Sequence, residues 1–219
     1  MEASKYGLAL HTTTPELGLA IANFVGGNFS EGFRSQVWNL ERELSSHLHQ
    51  YLLDFLKPQT WQDIAFIAVA KGPGGFTGTR IGMVAARTLA QQLNIPVFAV
   101  STLAAVAWEL GKKENAKIAV QMPAQRGQVF GAIYQVAADG LGLTTLGLTT
   151  LLPDAAFLPE VWQEKLASWD NNYQLLEAKS GLAATVTSIL QLAYFDWLQG
   201  KRPNWEEALP FYGQHPVDL

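Results

Sequence analysis

The 219-residue chain has no cysteine, so neither a disulfide framework nor a thiolate metal site is open to it, and a reducing, cytoplasmic setting is expected. Charge is also scarce. Only 16% of residues are charged, and 15 Lys and Arg against 19 Asp and Glu give a formal net charge of -4. Nucleic-acid binders ordinarily present a basic face that displaces counterions from phosphate, so direct RNA contact by this chain is not expected. No stretch approaches 18 consecutive apolar residues, which argues against a membrane role, and the apolar run within MEASKYGLALHTTT is too short for a signal-peptide core. Histidines number 4. His47 and His49 lie two apart on a predicted helix and point to different sides, so no metal site is expected. There is no Gly-x-Ser-x-Gly elbow and no carboxylate pair that the sequence brings to one cleft.

What is present is apolar material: 48% of residues are hydrophobic, enough to offset the chain entropy of one large domain or two small ones. Alternation and turn signals predict strands over Tyr6–Leu10 and Leu17–Phe24, a hairpin turn at Gly26-Gly27, and a third strand ending near Trp38. Leu40, Leu44, Leu48, Tyr51, Leu52 and Phe55 then recur at helical spacing until Pro58. The run IAFIAVA, Ile64–Ala70, fits a strand buried on both faces. A helix over Thr79–Leu93, a strand over Val97–Val100 and a helix over Thr102–Gly111 follow, which implies a parallel portion of sheet. From Lys117 the order restarts: strand Ile118–Met122, the turn PAQRG, strand Gln128–Val136, an Ala-Asp-Gly turn and strand Leu141–Leu152. Two structurally similar halves are therefore expected. Helices over Pro159–Trp169 and Lys179–Leu198 and a short last strand at Ala208–Tyr212 complete the reading.

The most distinctive segment is GPGGFTGTRIG, Gly72–Gly82, where a buried strand gives way to a helix. Free N–H groups at Gly74, Gly75, Thr77 and Gly78, with the positive end of the helix dipole, suit an anion, and Arg80 can add a charge-assisted contact. The segment is not a phosphate loop of the Gly-Lys-Ser/Thr type and lacks the dinucleotide spacing. The plainer alternative is a tight turn capped by Thr77 or Thr79, worth about 1 kcal/mol. Further on, Gly82, Ala86 and Ala90 recur every four residues beside Met83. Such a ridge lets a second helix approach closely, from the same chain or from another. His11, in the first turn, is open to a catalytic reading or to a simple hydrogen-bonded one.

AVAKGPGGFTGTRIGMVAARTLA resembles the signature of the TsaB family, also called YeaZ, of the actin-like ATPase superfamily, supported by LALHTTTPELGLAI, VSTLAAVA, QRGQVF and LPFY. The resemblance implies an α/β, actin-like (ribonuclease H-like) fold with two similar lobes, each a mixed sheet with helices. These are expected over 1–103 and 104–219, with the last segment packing back on the first lobe. It further implies a non-catalytic scaffold, without a cofactor of its own, that dimerises with a TsaD-type catalytic subunit. With a TsaE-type ATPase, that assembly moves threonylcarbamoyl from its adenylate to the adenosine beside the anticodon of tRNA, the tRNA being held by another subunit.

In the family, first-lobe helices make the contact. The matching positions are Leu44, Leu48, Tyr51 and Leu52 on one helix and Arg80, Gly82, Met83, Ala86, Arg87 and Ala90 on the next. Left unpaired, the same face suits a homodimer. ATP-using relatives carry an aspartate in each of two strand turns. Here those turns hold His11 and Thr12, and Pro123 and Gln125. They resemble degenerate phosphate loops, which argues against magnesium-dependent hydrolysis. The rival is an actin-like phosphotransferase, ATPase or protease-like enzyme acting alone. TsaD itself would require a longer chain and a histidine pair on one helical face.

Overall fold

Alternating side chains organise the first sheet. Along β1 (Tyr6–His11), Leu8 and Leu10 enter one core and Ala9 the opposite one, as the two-residue period of a strand requires. β1 pairs antiparallel with β2 (Glu16–Asn23), which pairs antiparallel with β3 (Arg34–Asn39). On its other side β1 pairs in parallel with β4 (Ile64–Ala70), and β4 with β5 (Val97–Val100), giving the order β3-β2-β1-β4-β5. The structure, a computed structural model, describes residues 6–24, 32–111, 116–137, 147–169 and 172–213. The predicted turns at Gly26-Gly27 and at 138–140, the start of the predicted strand at 141–146, and His215 lie outside these residues.

Both faces of this sheet are covered. On one lie α1 (Leu44–Leu56) and α2 (Phe76–Leu93). Leu44, Leu48, Leu52, Met83, Ala86 and Ala90 join Leu8, Leu10, Leu19 and Val69 in one buried cluster. The end of α1 is tied to β3, since Arg34 Nη2 donates to the carbonyls of Phe55 (2.7 Å) and Leu56 (2.8 Å), which satisfies two of the orphan acceptors at a helix C-terminus. α2 ends where Asn94 takes a left-handed conformation and its N–H returns to Ala90 and Gln91.

The second sheet repeats the first. β6 (Lys117–Pro123) pairs antiparallel with β7 (Val129–Ala137), β7 with β8 (Gly147–Phe157), and β6 in parallel with β9 (Gln174–Glu177). The order β8-β7-β6-β9 matches β3-β2-β1-β4, so the duplication read from the sequence is present in the backbone. The PAQRG segment forms the β6–β7 turn, with Gln128 N–H donating to Gln125 (3.2 Å) and both Arg126 and Gly127 at positive φ, the geometry that matches the twist of a hairpin.

One helix of each half is exchanged. α3 (Thr102–Gly111) follows the first sheet in the chain, yet Leu103, Ala104 and Trp108 pack with Ile118, Val120 and Tyr134 of the second. α5 (Val186–Leu198) follows the second sheet, yet Val186, Ile189 and Ala193 pack with Ala9, Ala20, Phe66 and Ala68 of the first. The two helices are bonded to each other by Trp108 Nε1 to Gln191 Oε1 (2.6 Å) and Ser188 Oγ to Glu109 Oε2 (2.6 Å). Among the described residues, the helix on the outer face of the second sheet is α4 (Pro159–Ala167), packed through Trp162 and Leu166.

Several expectations are corrected. β9 went unpredicted. The apolar stretch from Lys179 is a 3-10 turn at Leu182–Thr185 followed by α5, not one helix. Ala208–Tyr212 forms no strand; Phe211 N–H donates to Lys71 O (2.7 Å) and Ala208 joins the first core. α2 starts at Phe76, three residues before the predicted Thr79, and its N-cap is Gly75 with no side-chain cap. Thr79 Oγ1 instead donates back to Gly75 O (2.8 Å), and Thr77 is exposed. Glycines allow this early start because a Cβ on Gly78 or Gly82 would collide with Thr12 at the end of β1.

Candidate cleft and helical face

The two strand turns and the glycine-rich turn converge. Thr13–Pro15 after β1, Gly74–Gly78 at the start of α2 and Met122–Gln125 at the end of β6 line one cleft of about 1000 Å³ between the sheets. Gly75 N–H donates to Thr13 O (2.7 Å), which fixes the glycine turn against the first strand turn. Thr12 Oγ1 donates to Gly78 O (2.8 Å) from below. The N-terminal end of α2 therefore opens on this cleft with its positive dipole end, and Arg42 and Lys179 contribute cationic lining.

Of the residues expected at the turns, Arg80, His11 and the fully buried Thr12 do not line it. Arg80 lies with its guanidinium 5.3 Å from the centre of the Phe76 ring and is not among the lining residues. Arg87 is turned onto Trp205 of the C-terminal segment, 5.5 Å from that ring's centre. His11 is wholly buried with both ring nitrogens unpartnered, and burial pulls its pKa from 6.5 to about 3. An imidazole so placed is neutral at physiological pH and has no path to a substrate in the cleft. Pro123, paired with Val129 at the end of β6, offers no ligand atom on its side chain. Glu41 is the one carboxylate among the lining residues. A magnesium–nucleotide site wants several hard oxygen ligands, and this set does not fit one.

The ridge Gly82, Ala86 and Ala90 does seat a close neighbour, but the neighbour is this chain's own sheet. Ala86 and Ala90 are 0% exposed, Met83 2%, and Leu44, Leu48 and Leu52 are equally interior; Tyr51 is half-buried against Trp38. The surface that α1 and α2 present lies on the opposite side of each helix. It carries Leu53 (48% exposed) and Val84 (62%), while Phe76 (42%) stands at the cleft end of α2, where it lines the cleft and packs on Tyr212 with ring centres 4.7 Å apart. Sequence reasoning located the helices and inverted their faces, because small residues on a four-residue repeat serve a sheet below as well as a helix above. Glu41, Arg42, Lys179 and Leu182 of the cleft had no local signal at all; only the fold brings them there.

A model of the family described as "TsaD: tRNA N6-adenosine threonylcarbamoyltransferase" matches residues 43–155. The chain is 38% identical over 176 residues, 71% of its own length and 73% of the relative's, to the tRNA threonylcarbamoyladenosine biosynthesis protein TsaB of Escherichia coli. It is 40% identical over 109 residues to the protein of that name from Bacillus subtilis, a match that spans 44% of the relative. Among solved structures, YeaZ from Pseudomonas aeruginosa superposes with a TM-score of 0.72 at 23% identity, covering 94% of this chain and 100% of that one. A second structure, described as an uncharacterized Pseudomonas aeruginosa protein with similarity to peptidase YEAZ, gives 0.73 at 24% identity, over 96% and 100% of the two chains. With two mixed sheets of matching topology, a glycine turn between them and these relatives, the chain belongs to the TsaB/YeaZ family of the actin-like fold.

Proposed function

We propose that this chain is a scaffold and activator in tRNA threonylcarbamoyladenosine biosynthesis, pairing through the outer face of α1 and α2 with a TsaD-type catalytic subunit and working with a TsaE-type ATPase. The observation that carries the reading is the exposed apolar flank of these helices, Leu53, Phe76 and Val84, set beside a cleft whose two strand turns hold His11 and Pro123 where a phosphate-handling enzyme needs carboxylates. Single exposed apolar residues are ordinary; in this reading Leu53 and Val84 on adjacent helices, with Phe76 at the mouth of the cleft, together form the docking surface. An interface of about 800 Å² per side suffices for a specific complex. Gly74, Gly75, Thr77 and Gly78 then border the subunit seam, where their backbone N–H groups suit the phosphates of a nucleotide held mainly by the partner. In the absence of the partner, a second copy of the chain covers the same flank.

The test is a reconstitution with purified subunits. Threonylcarbamoyl transfer to tRNA is measured for the TsaD-type and TsaE-type subunits with and without this chain, and for this chain alone. Strong stimulation with no activity alone is the expected result. Transfer by the chain alone, or no stimulation, overturns the reading.

A further inference from the structure

A second cavity, of about 750 Å³, lies between the end of β4, the β5–α3 junction, β8 and α5. It shares no lining residue with the interlobe cleft. Lys71, Ser101, Tyr134 and Asp154, from both halves, stand in its wall, which also holds the Asp196–Lys201 ion pair. The Tyr134 hydroxyl donates to Asp154 Oδ1 and lies 3.3 Å from Ser101 Oγ. Asp154 Oδ2 is buried and has no partner. The Lys71 ammonium acts electrostatically on this carboxylate, yet among the described residues it makes no ion pair. Burial raises the Asp154 carboxyl and pushes the Tyr134 hydroxyl well above its ordinary value. Leu192, Phe195 and Phe211 supply the apolar wall.

A buried carboxylate oxygen left without a donor costs about 1–3 kcal/mol or more, and such a group calls for a reason. Tyr134, itself in contact with Ser101 Oγ, holds one oxygen of Asp154 in place, and the other oxygen is left without a partner. The missing element is a hydrogen-bond donor, best a cationic one. Lys71 is the converse, a cation near this carboxylate that makes no ion pair among the described residues. A cavity of this volume, with an apolar side and a few convergent polar groups, is of the size that takes a small molecule.

We propose that this cavity binds a small zwitterion of the amino-acid or dipeptide type, its ammonium at Asp154 and its carboxylate at Lys71, with its side chain against Phe195 and Phe211. The assignment does not depend on pairing through α1 and α2.

Isothermal titration of the full chain with a panel of free amino acids and of glycyl dipeptides tests it, with propylamine and propionate as half-ligands. At least one zwitterion is expected to bind saturably with a Kd below about 1 mM, and each half-ligand about tenfold or more weaker. The amino-acid and dipeptide arms separate the two sources of the shared chemistry. Asp154→Asn and Lys71→Met should each weaken binding about tenfold or more. Amide chemical shifts of the unmodified protein need no variant: the bound zwitterion should move Ser101 and Thr149 and leave Gly75 and Thr77 still. The proposal is overturned by no saturable binding up to about 10 mM, by wild-type affinity in both variants, or by shifts confined to the interlobe cleft.

Discussion

Four strands of the first sheet share the topology of the second, and the two sheets carry unequal covers. Outside the first, α1 and α2 lie side by side over a large cluster and leave Leu53, Phe76 and Val84 in solvent. Outside the second, among the described residues, stands α4, whose Trp162 and Leu166 fill a small cluster with Ala119 and Ile133 and whose Val161, with Leu158 before it, is also exposed. A duplicated backbone order therefore does not duplicate surfaces. Among the described residues, the glycine turn and the helix that follows it belong to the first sheet and border the cleft.

The largest expected effects fall on the two unequal cores. Ala86→Asp sets a carboxylate into a fully buried position of the first cluster and should cost about 3 kcal/mol or more. Trp162→Ala, in the second, should cost about 3–5 kcal/mol through the void it leaves and the loss of the Nε1 bond to Gln121 Oε1 (2.8 Å). If the exchange of α3 and α5 couples the halves, each variant gives one urea transition by both far-ultraviolet circular dichroism and tryptophan fluorescence. Two separated transitions would show that the lobes unfold independently.

His11 sharpens the contrast between the two strand turns. Its folded pKa, about 3, lies below its ordinary 6.5, so on acidification the unfolded chain takes up this proton first. Stability is unaffected above pH 6.5 and falls as pH drops toward 3, by about 2 kcal/mol between pH 7.5 and 5. His11→Asn should flatten that slope in urea titrations at the two pH values; an unchanged slope would mean that other groups cause it. A smaller effect, about 1–2 kcal/mol, is expected for Ser188→Ala, which removes the 2.6 Å bond between α5 and α3. The smallest is Val84→Glu, within about 0.5 kcal/mol of wild type because the side chain stands in water.

Much of this was legible in the sequence. Ile64–Ala70, Val97–Val100 and Thr102–Gly111 were read at their observed bounds, because each is an apolar run with turn residues at its ends. The restart at Lys117 was readable because strand order survives without residue identity. β9 was not, since QLLE has two exposed polar ends and pairs with β6 only through a long-range parallel ladder. The orientation of α2 was misread for a related reason: Gly82, Ala86 and Ala90 mark closeness, and nothing local says to what. The start of α2 was misplaced because Thr77 and Thr79 look like caps, whereas the contact of Gly78 with Thr12 decides the geometry.

The central claim is that the first lobe, and not the second, carries the partner surface. Val84→Glu on α2 and Val161→Glu on α4 each place a charge at an exposed valine, 62% and 37% in solvent. Isothermal titration of each folded variant against the TsaD-type subunit compares the two directly. The account predicts a loss of about 100-fold or more for Val84→Glu and a change within about twofold for Val161→Glu. Unchanged affinity for Val84→Glu, or the larger loss at Val161, would contradict it.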